Sequence, residues 1–228
     1  MKRVSAIVPA AGRGRRFGSK TSKLFFNVDR KPIFFYTLRN LSASYRFDEI
    51  LIAAHPDDFA RIKKIITALK LHHARLVTGG ETRAESVRNA LHEASDAAEW
   101  VVVHDAARPL VSRPIVERAL AAAQKTGGAI SAYPVTATVK RVAGEIIAGT
   151  EDRRTLYLAQ TPQVFRKEKL LERYRKLGKK ALSLTDEASF FDGTGTRVAV
   201  ALGAVSNLKI TTPEDVDLFR FYLKHGRG

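Results

Sequence analysis

The segment VSAIVPAAGRGRRFGSKTSK, residues 4–23, joins an apolar run to a loop rich in glycine and basic side chains. The run 4–10 is almost continuously apolar, which predicts a strand buried on both faces, as in a parallel sheet. Glycines at positions 12, 14 and 18 permit backbone conformations that other residues resist and expose N–H groups to a ligand. The arginines and lysines among them suit phosphate oxygens. The segment therefore predicts a phosphate-binding loop at the end of a buried strand.

The spacing of these glycines matches neither of the two standard phosphate-binding motifs. A dinucleotide-binding fingerprint requires G-x-G-x-x-G, whereas Gly12, Gly14 and Gly18 are spaced G-x-G-x-x-x-G. A P-loop requires four residues between its glycines and Lys-Ser/Thr directly afterwards, but only three residues separate Gly14 from Gly18. A different phosphate-binding loop is the favoured interpretation, and a solvated glycine turn is the alternative.

Apolar runs of strand length alternate with helical patterns along the rest of the chain. Strands are predicted at 4–10, 49–54, 74–79, 100–105, 129–135 and 197–202. Helices are predicted at 33–41, 55–69, 82–94, 112–127, 166–180 and 212–226. This alternation predicts an α/β fold with three layers, in which a mainly parallel twisted sheet has helices on both faces. With no clear internal boundary, residues 1–228 are expected to form one domain.

Ligands of such sheets bind at the carboxyl ends of the strands. Segments 9–23, 78–81 and 104–109 each follow a predicted strand, so we expect them to converge on one site.

Residues 136–165 lack a helical pattern. Alternating polar and apolar residues on either side of Ala143 and Gly144 predict a hairpin. About 20 residues are long for a loop within a compact domain. We therefore expect a projecting β-arm at about 136–157 that serves dimerisation, with a disordered insertion as the alternative.

The composition bounds the possible functions of the 228-residue chain. It contains no cysteine, which excludes disulfides, thiolate zinc sites and cysteine nucleophiles. The net charge of +16 indicates an anionic partner, which includes nucleic acid, an acidic membrane surface and phosphorylated small molecules. No apolar run approaches the ~20 residues of a membrane span. A cytoplasmic protein with no membrane partner is expected.

Six segments, in order along the chain, resemble one branch of the sugar-phosphate nucleotidyltransferases. They are PAAGRGRRFG with SK (9–23), GGETRAESVRNAL (79–91), VHDAARPLV (103–111), AQTPQVF (159–165), TDEAS (185–189) and NLKITTPEDV (207–216). Together they are similar to the 2-C-methyl-D-erythritol 4-phosphate cytidylyltransferases. The ribitol-5-phosphate cytidylyltransferases share much of the pattern and are the nearest alternative. A nucleic-acid-binding protein, suggested by the net charge and by the basic segment 166–180, is a more distant one.

The resemblance implies a Rossmann-like nucleotidyltransferase fold and a reaction. CTP and methylerythritol 4-phosphate would give 4-diphosphocytidyl-2-C-methyl-D-erythritol and pyrophosphate with Mg²⁺, in the non-mevalonate isoprenoid pathway. It also implies a homodimer in which the arm completes the partner's site, and no nucleic acid partner.

The same resemblance assigns roles residue by residue. The catalytic cations would be Arg16, Lys23, Arg153 and Lys209. CTP would be bound by Pro9, Ala10, Ala11, Gly12, Gly14, Gly80, Glu81, Arg83 and Ser86. The polyol phosphate would contact Asp105, Arg108, Thr138 and Thr161, and Asp105 is also the candidate Mg²⁺ ligand. The chain departs from the family pattern at Leu24, where glutamine is usual, and at Ala137, where an acid is common.

Overall fold

The computed structural model of the chain describes residues 3–12 and 22–226. Gly14 and Arg16, which the resemblance assigns to the site, lie outside the described residues. Within these ranges the strands are β1 (Val4–Pro9), β2 (Asn27–Val28), β3 (Lys31–Pro32), β4 (Glu49–Ala54), β5 (Ala74–Thr78), β6 (Trp100–Val103), β7 (Gly128–Pro134), β8 (Lys140–Ala143), β9 (Ile146–Thr150), β10 (Tyr157–Arg166) and β11 (Ala199–Leu202). The α-helices of the same ranges are α1 (Ile33–Ser44), α2 (Phe59–Ala68), α3 (Arg83–Glu93), α4 (Arg113–Thr126), α5 (Lys167–Leu177) and α6 (Pro213–His225).

The central sheet is mixed but mainly parallel. Its strand order is β11-β7-β10-β6-β1-β4-β5. Parallel pairing joins β6, β1, β4 and β5 in turn and also joins β11 to β7, whereas β10 runs antiparallel to both of its neighbours. The carboxyl ends of β1, β5 and β6 therefore meet at one edge, as the sequence predicts.

Side chains of the buried strands alternate between two helical layers. Val4, Ala6 and Val8 of β1 pack in the core formed with α1, α2 and α4. Ile7, between them, points to the opposite core, where α3 and α5 pack. Because successive side chains of a strand point to opposite faces, one apolar strand serves both layers. The predicted three-layer α/β fold is confirmed.

The sequence pattern does not predict strand β10, although this strand lies inside the sheet, between β7 and β6. Pro162 explains this, because a proline cannot donate to a strand ladder and argues against a central strand. Pairing with β7 is in fact interrupted between Ala159 and Gln163, so the proline falls where no ladder bond is required. The sequence YLAQTPQVFR thus forms one strand with an irregularity at its centre.

The predicted arm forms strands β8 and β9, which make a separate two-stranded sheet. Gly144 turns the chain with a φ of +60°, a conformation that favours glycine. Val142, Ile146 and Ile147 are 58%, 73% and 62% exposed, respectively. The hairpin therefore carries apolar side chains that its own chain does not cover.

The helix predicted at 166–180 is shorter than expected. Helix α5 ends at Leu177, because Gly178 adopts a φ of +53° and a 3-10 turn follows over Gly178–Ser183. Its apolar face packs against the domain, with Leu170 and Tyr174 buried in the core beneath α3. No helix in the described part of the chain combines the length and apolar character needed to cross a bilayer.

Candidate active site

A cavity of about 340 Å³ opens at the carboxyl edge of the parallel strands. Segments 9–12, 80–83 and 105–107 each contribute to its wall, so the expected convergence is found. Its lining comprises Pro9, Ala10, Ala11, Gly12, Lys23, Leu24, Gly80, Glu81, Thr82, Arg83, Ser86, Asp105, Ala106, Ala107 and Lys209. Each described residue that was predicted to bind CTP is in this set.

One wall of the cavity is the amino end of α3. Thr82 caps this helix by accepting the N–H of Glu85 at 3.0 Å. The buried Ser86 hydroxyl accepts the N–H of Gly80 at 3.0 Å and donates to the Thr82 carbonyl at the same distance. Ser86 therefore folds the loop against its helix, and the partial positive charge of the helix end faces the cavity.

Gly79 brings this loop against the first strand. A Cβ atom on Gly79 would lie 2.5 Å from the Cβ of Ala11, closer than side-chain atoms pack. Its N–H donates to the carbonyl of Ala54 at 2.9 Å, while Ala10 donates to Ala53 at 2.7 Å. Because the residues on both segments are small, their two backbones can approach each other closely where they form the wall of the cavity.

Asp105 forms the floor of the cavity and is surrounded by cations. Its Oδ1 accepts a hydrogen bond from Arg83 Nε at 2.9 Å, and its Oδ2 lies 2.8 Å from Lys209 Nζ. Arg108 Nε is 3.8 Å from Oδ2. Burial alone would raise the pKa of Asp105, but the charges of these three cations outweigh burial and hold the pKa well below its ordinary value.

Arg83 links Asp105 to a second, fully buried carboxylate. Its Nη1 donates to both carboxylate oxygens of Glu187, at 2.8 and 2.9 Å. The Tyr174 hydroxyl donates to the carbonyl of Ala84 at 3.0 Å and lies 3.4 Å from Oε1 of Glu187. Burial lowers the pKa of Arg83, but the charges of Glu187 and Asp105 outweigh it and raise the pKa overall, so the guanidinium is fixed in its charged state.

Lys23 and Lys209 both line the cavity, and Lys23 is hydrogen-bonded to the segment that carries Lys209. Lys23 Nζ donates to the carbonyl of Ile210 at 2.7 Å, and Ile210 N–H donates in turn to Ala107 at 2.8 Å. Lys209, the neighbour of Ile210, pairs with Asp105. Two cations that are far apart in the sequence therefore line the same cavity.

Arg108 and Thr161 lie behind the cavity rather than on its wall. Arg108 is buried and donates to the carbonyls of Asn207 and Ala159, at 2.7 and 3.3 Å. The Thr161 hydroxyl accepts the N–H of Asp105 at 2.9 Å and contacts buried His104 at 3.0 Å. Burial lowers the pKa of His104 to about 4, so its imidazole is neutral at neutral pH. The side chains of Arg108 and Thr161 therefore both make hydrogen bonds within the protein, behind the cavity. Their predicted contacts with the substrate phosphate stay predictions.

Two further predicted residues belong to the arm and do not line the cavity of their own chain. Thr138 precedes β8, and Arg153 lies in a 3-10 turn after β9. The Arg153 guanidinium donates to the carbonyl of Thr136 at the base of the arm.

Asp105 is poorly suited to bind Mg²⁺. Both of its oxygens already accept from cationic side chains, and a divalent cation would have to enter among three positive charges. Across residues 3–12 and 22–226, no three His, Asp or Glu side chains are grouped to hold a metal ion. The Asp105 side chain therefore does not fit the predicted role of metal ligand.

Sequence reasoning assigned no role to Glu187, Tyr174 or His104. Glu187 was visible within TDEAS (185–189), one of the six matching segments, yet nothing in that segment predicts its pairing with Arg83. His104 directly precedes Asp105, and one of its two partners, Thr161, comes from a strand that the sequence does not predict. In each case the contact joins residues that are far apart in the sequence, so no local sequence pattern predicts it.

A mainly parallel α/β sheet with a cation-lined cavity at its carboxyl edge is the architecture of a nucleotide-binding α/β enzyme. Residues 4–225 match the family model described as "IspD: 2-C-methyl-D-erythritol 4-phosphate cytidylyltransferase". The chain therefore belongs to the 2-C-methyl-D-erythritol 4-phosphate cytidylyltransferase family, as its six motifs predict.

The chain is also similar to individual proteins with related names. The enzyme of that name from Syntrophus aciditrophicus (strain SB) is 38% identical over 229 residues, which cover 99% of this chain and 98% of the relative. A bifunctional enzyme IspD/IspF from Desulfotalea psychrophila is 36% identical, and the chain spans 58% of its length. The crystal structure of 4-diphosphocytidyl-2C-methyl-D-erythritol synthase from Anaerococcus prevotii superimposes with a TM-score of 0.86 at 30% identity, covering 98% and 99% of the two chains.

Proposed function

We propose that this chain transfers CMP from CTP to 2-C-methyl-D-erythritol 4-phosphate, releasing pyrophosphate, as a step of isoprenoid precursor synthesis. The observation that carries the proposal is the cavity itself. Lys23, Arg83 and Lys209 reach it from three separate segments, beside a glycine-containing loop at the carboxyl edge of the sheet. A cytoplasmic location is part of the proposal.

Cations are the groups that this reaction needs. An oxygen of the polyol phosphate forms a bond to the α-phosphorus of CTP, while the bond from that phosphorus to the bridging oxygen breaks and pyrophosphate leaves with the electron pair. Both reactants are anions, so positioning and charge neutralisation dominate the catalysis. The attacking phosphate is already ionised near neutral pH and needs no strong base. Lys23 and Lys209 are the described cations that we assign to the transferring phosphoryl group.

Mg²⁺ remains part of the proposal as a companion of CTP. Magnesium keeps several waters and is often bound through substrate phosphates with few protein carboxylates. Because the oxygens of Asp105 already pair with cations, we assign it to the charge balance of the site and to the hydroxyl groups of the polyol phosphate, which can donate to a carboxylate.

Measurement of pyrophosphate release tests the reaction. The wild-type chain with CTP and Mg²⁺ should release pyrophosphate with methylerythritol 4-phosphate and far less with ribitol 5-phosphate or glycerol 3-phosphate. Lys23→Ala should lower kcat by roughly 100-fold, the scale of one lost preorganised charge. Lys63→Ala, which removes an exposed lysine of α2, is the matched control. Release with ribitol 5-phosphate alone would replace the proposed substrate.

We also propose a homodimer in which the arm of one chain completes the site of the other. Thr138 and Arg153 do not line their own chain's cavity, and the arm exposes the apolar side chains of Val142, Ile146 and Ile147. Covering such a surface is a common basis of association.

Subunit complementation tests this arrangement. Lys23→Ala and Arg153→Ala should each impair the enzyme, whereas their co-expression should restore about a quarter of wild-type activity. Random pairing makes half of the dimers mixed, and each mixed dimer has one intact site out of two. A co-expressed sample no more active than the separate variants, or a monomeric mass by sedimentation, contradicts the proposal.

A further inference from the structure

His104 directly follows strand β6, where the chain leaves the sheet for the cavity. Its backbone N–H still donates to the carbonyl of Ile7 at 2.9 Å, so its position is fixed by the sheet. The imidazole is fully buried and lies against Thr161 of the antiparallel strand β10. A buried polar ring requires partners, and both of its nitrogens have them.

The two partners determine which nitrogen carries the hydrogen. Nε2 lies 3.1 Å from the carbonyl oxygen of Arg108, and Nδ1 lies 3.0 Å from the hydroxyl oxygen of Thr161. A carbonyl only accepts, so Nε2 donates and the neutral ring keeps its lone pair on Nδ1. The Thr161 hydroxyl must therefore donate to Nδ1.

The same hydroxyl accepts the backbone N–H of Asp105 at 2.9 Å. Hydrogen bonds thus run in one direction, from Asp105 N–H through Thr161 to His104 and on to the Arg108 carbonyl. Arg108 N–H also donates to the Asp105 carbonyl at 3.0 Å. One imidazole and one hydroxyl consequently fix the main chain at both charged residues of the 105–108 turn.

We propose that His104 is a positioning residue, which holds Asp105 and Arg108 in the orientation that the transfer reaction requires. The inference rests on the proposed function, in which Asp105 serves the polyol phosphate, and on the contact of Arg108 with that substrate that the family resemblance implies. It also changes the role of Thr161. A phosphate only accepts hydrogen bonds, and Thr161 has already given its one proton to His104. Thr161 then acts by orienting Asp105.

Two substitutions distinguish the hydrogen bond of His104 to Thr161 from its hydrogen bond to Arg108. His104→Phe keeps a flat ring but removes both hydrogen bonds, whereas His104→Asn places an amide oxygen near Nδ1 and keeps the acceptor for Thr161. We expect kcat/KM for the polyol phosphate to fall by about tenfold or more in His104→Phe and by less in His104→Asn. KM for CTP should change less than KM for the polyol phosphate. His72→Asn, at an exposed histidine, is the control.

The tautomer of His104 provides a readout that does not depend on turnover. In the wild-type chain at neutral pH, long-range ¹H–¹⁵N correlation of ¹⁵N-labelled histidine should show hydrogen on Nε2 and none on Nδ1, with the signal assigned by its loss in His104→Asn. Hydrogen on Nδ1 would overturn the inference, and so would wild-type kinetic constants in either folded variant. If His104→Phe does not fold, His104→Asn and the spectrum decide. Absence of pyrophosphate release from the wild-type chain would instead refute the proposed function, and the spectrum would then report the hydrogen bonds alone.

Discussion

Substituting Glu187 by alanine removes the buried carboxylate that anchors Arg83. Both oxygens of Glu187 accept from Arg83 Nη1, at 2.8 and 2.9 Å, and the carboxylate side chain is fully buried. Without it, the guanidinium keeps Asp105 as its remaining carboxylate partner. We therefore expect Glu187→Ala to lower the free energy of unfolding and to disturb the wall of the cavity that Arg83 forms.

The magnitude follows from burial. Removing one partner of a buried ion pair costs about 3–5 kcal/mol. Arg83 is 26% exposed and keeps Asp105, so the lower end applies, about 3 kcal/mol. With a urea dependence of about 1–3 kcal/mol per molar, the midpoint of urea unfolding should fall by about 1 M or more. Equilibrium unfolding followed by circular dichroism measures this shift.

Glu172→Ala is the matched control. Glu172 pairs with Lys176 at 2.6 Å, but both side chains are largely exposed, so the same substitution should leave the midpoint almost unchanged. Equal midpoints for Glu187→Ala and the wild-type chain would refute the reasoning from burial. Glu187→Gln keeps the shape and one acceptor, and should give an intermediate midpoint.

Two further predictions concern the cavity. Asp105→Asn should make the decline of unfolding free energy in acid shallower, because the lowered pKa of Asp105 provides stability that is present above its ordinary pKa of about 4 and lost as the pH falls below it. Urea unfolding at several pH values measures this slope, with Asp57→Asn at an exposed carboxylate for comparison; identical slopes in the wild type and Asp105→Asn would refute it. Gly79→Ala should raise KM for CTP by about tenfold, because the new Cβ would press on Ala11 of the cavity wall. Ala97→Ser, which adds one atom at an exposed position outside the cavity and the arm, should leave KM unchanged, and equal KM values for both variants would argue against the packing explanation.

Much of the cavity can be predicted from the sequence, because a short continuous segment forms each part of its wall. Gly80, Glu81 and Ser86 form a loop and the first turns of one helix, so a single segment specifies their geometry. The partners of Asp105 could not be found in this way. Arg83 and Lys209 are 22 and 104 residues away from it, and no periodicity encodes such a contact.

The sequence alone determined the α/β class, the edge of the sheet that carries the site, and the family. These depend on hydrophobic periodicity and on short motifs, which are properties of neighbouring residues. Only the tertiary structure decided how the charges are arranged: which carboxylate holds Arg83, why Asp105 is enclosed by cations, and how His104 fixes the turn beside it. The physical reason is the sheet order, since the unpredicted strand β10 lies beside β6 and brings Thr161 against His104 and Asp105.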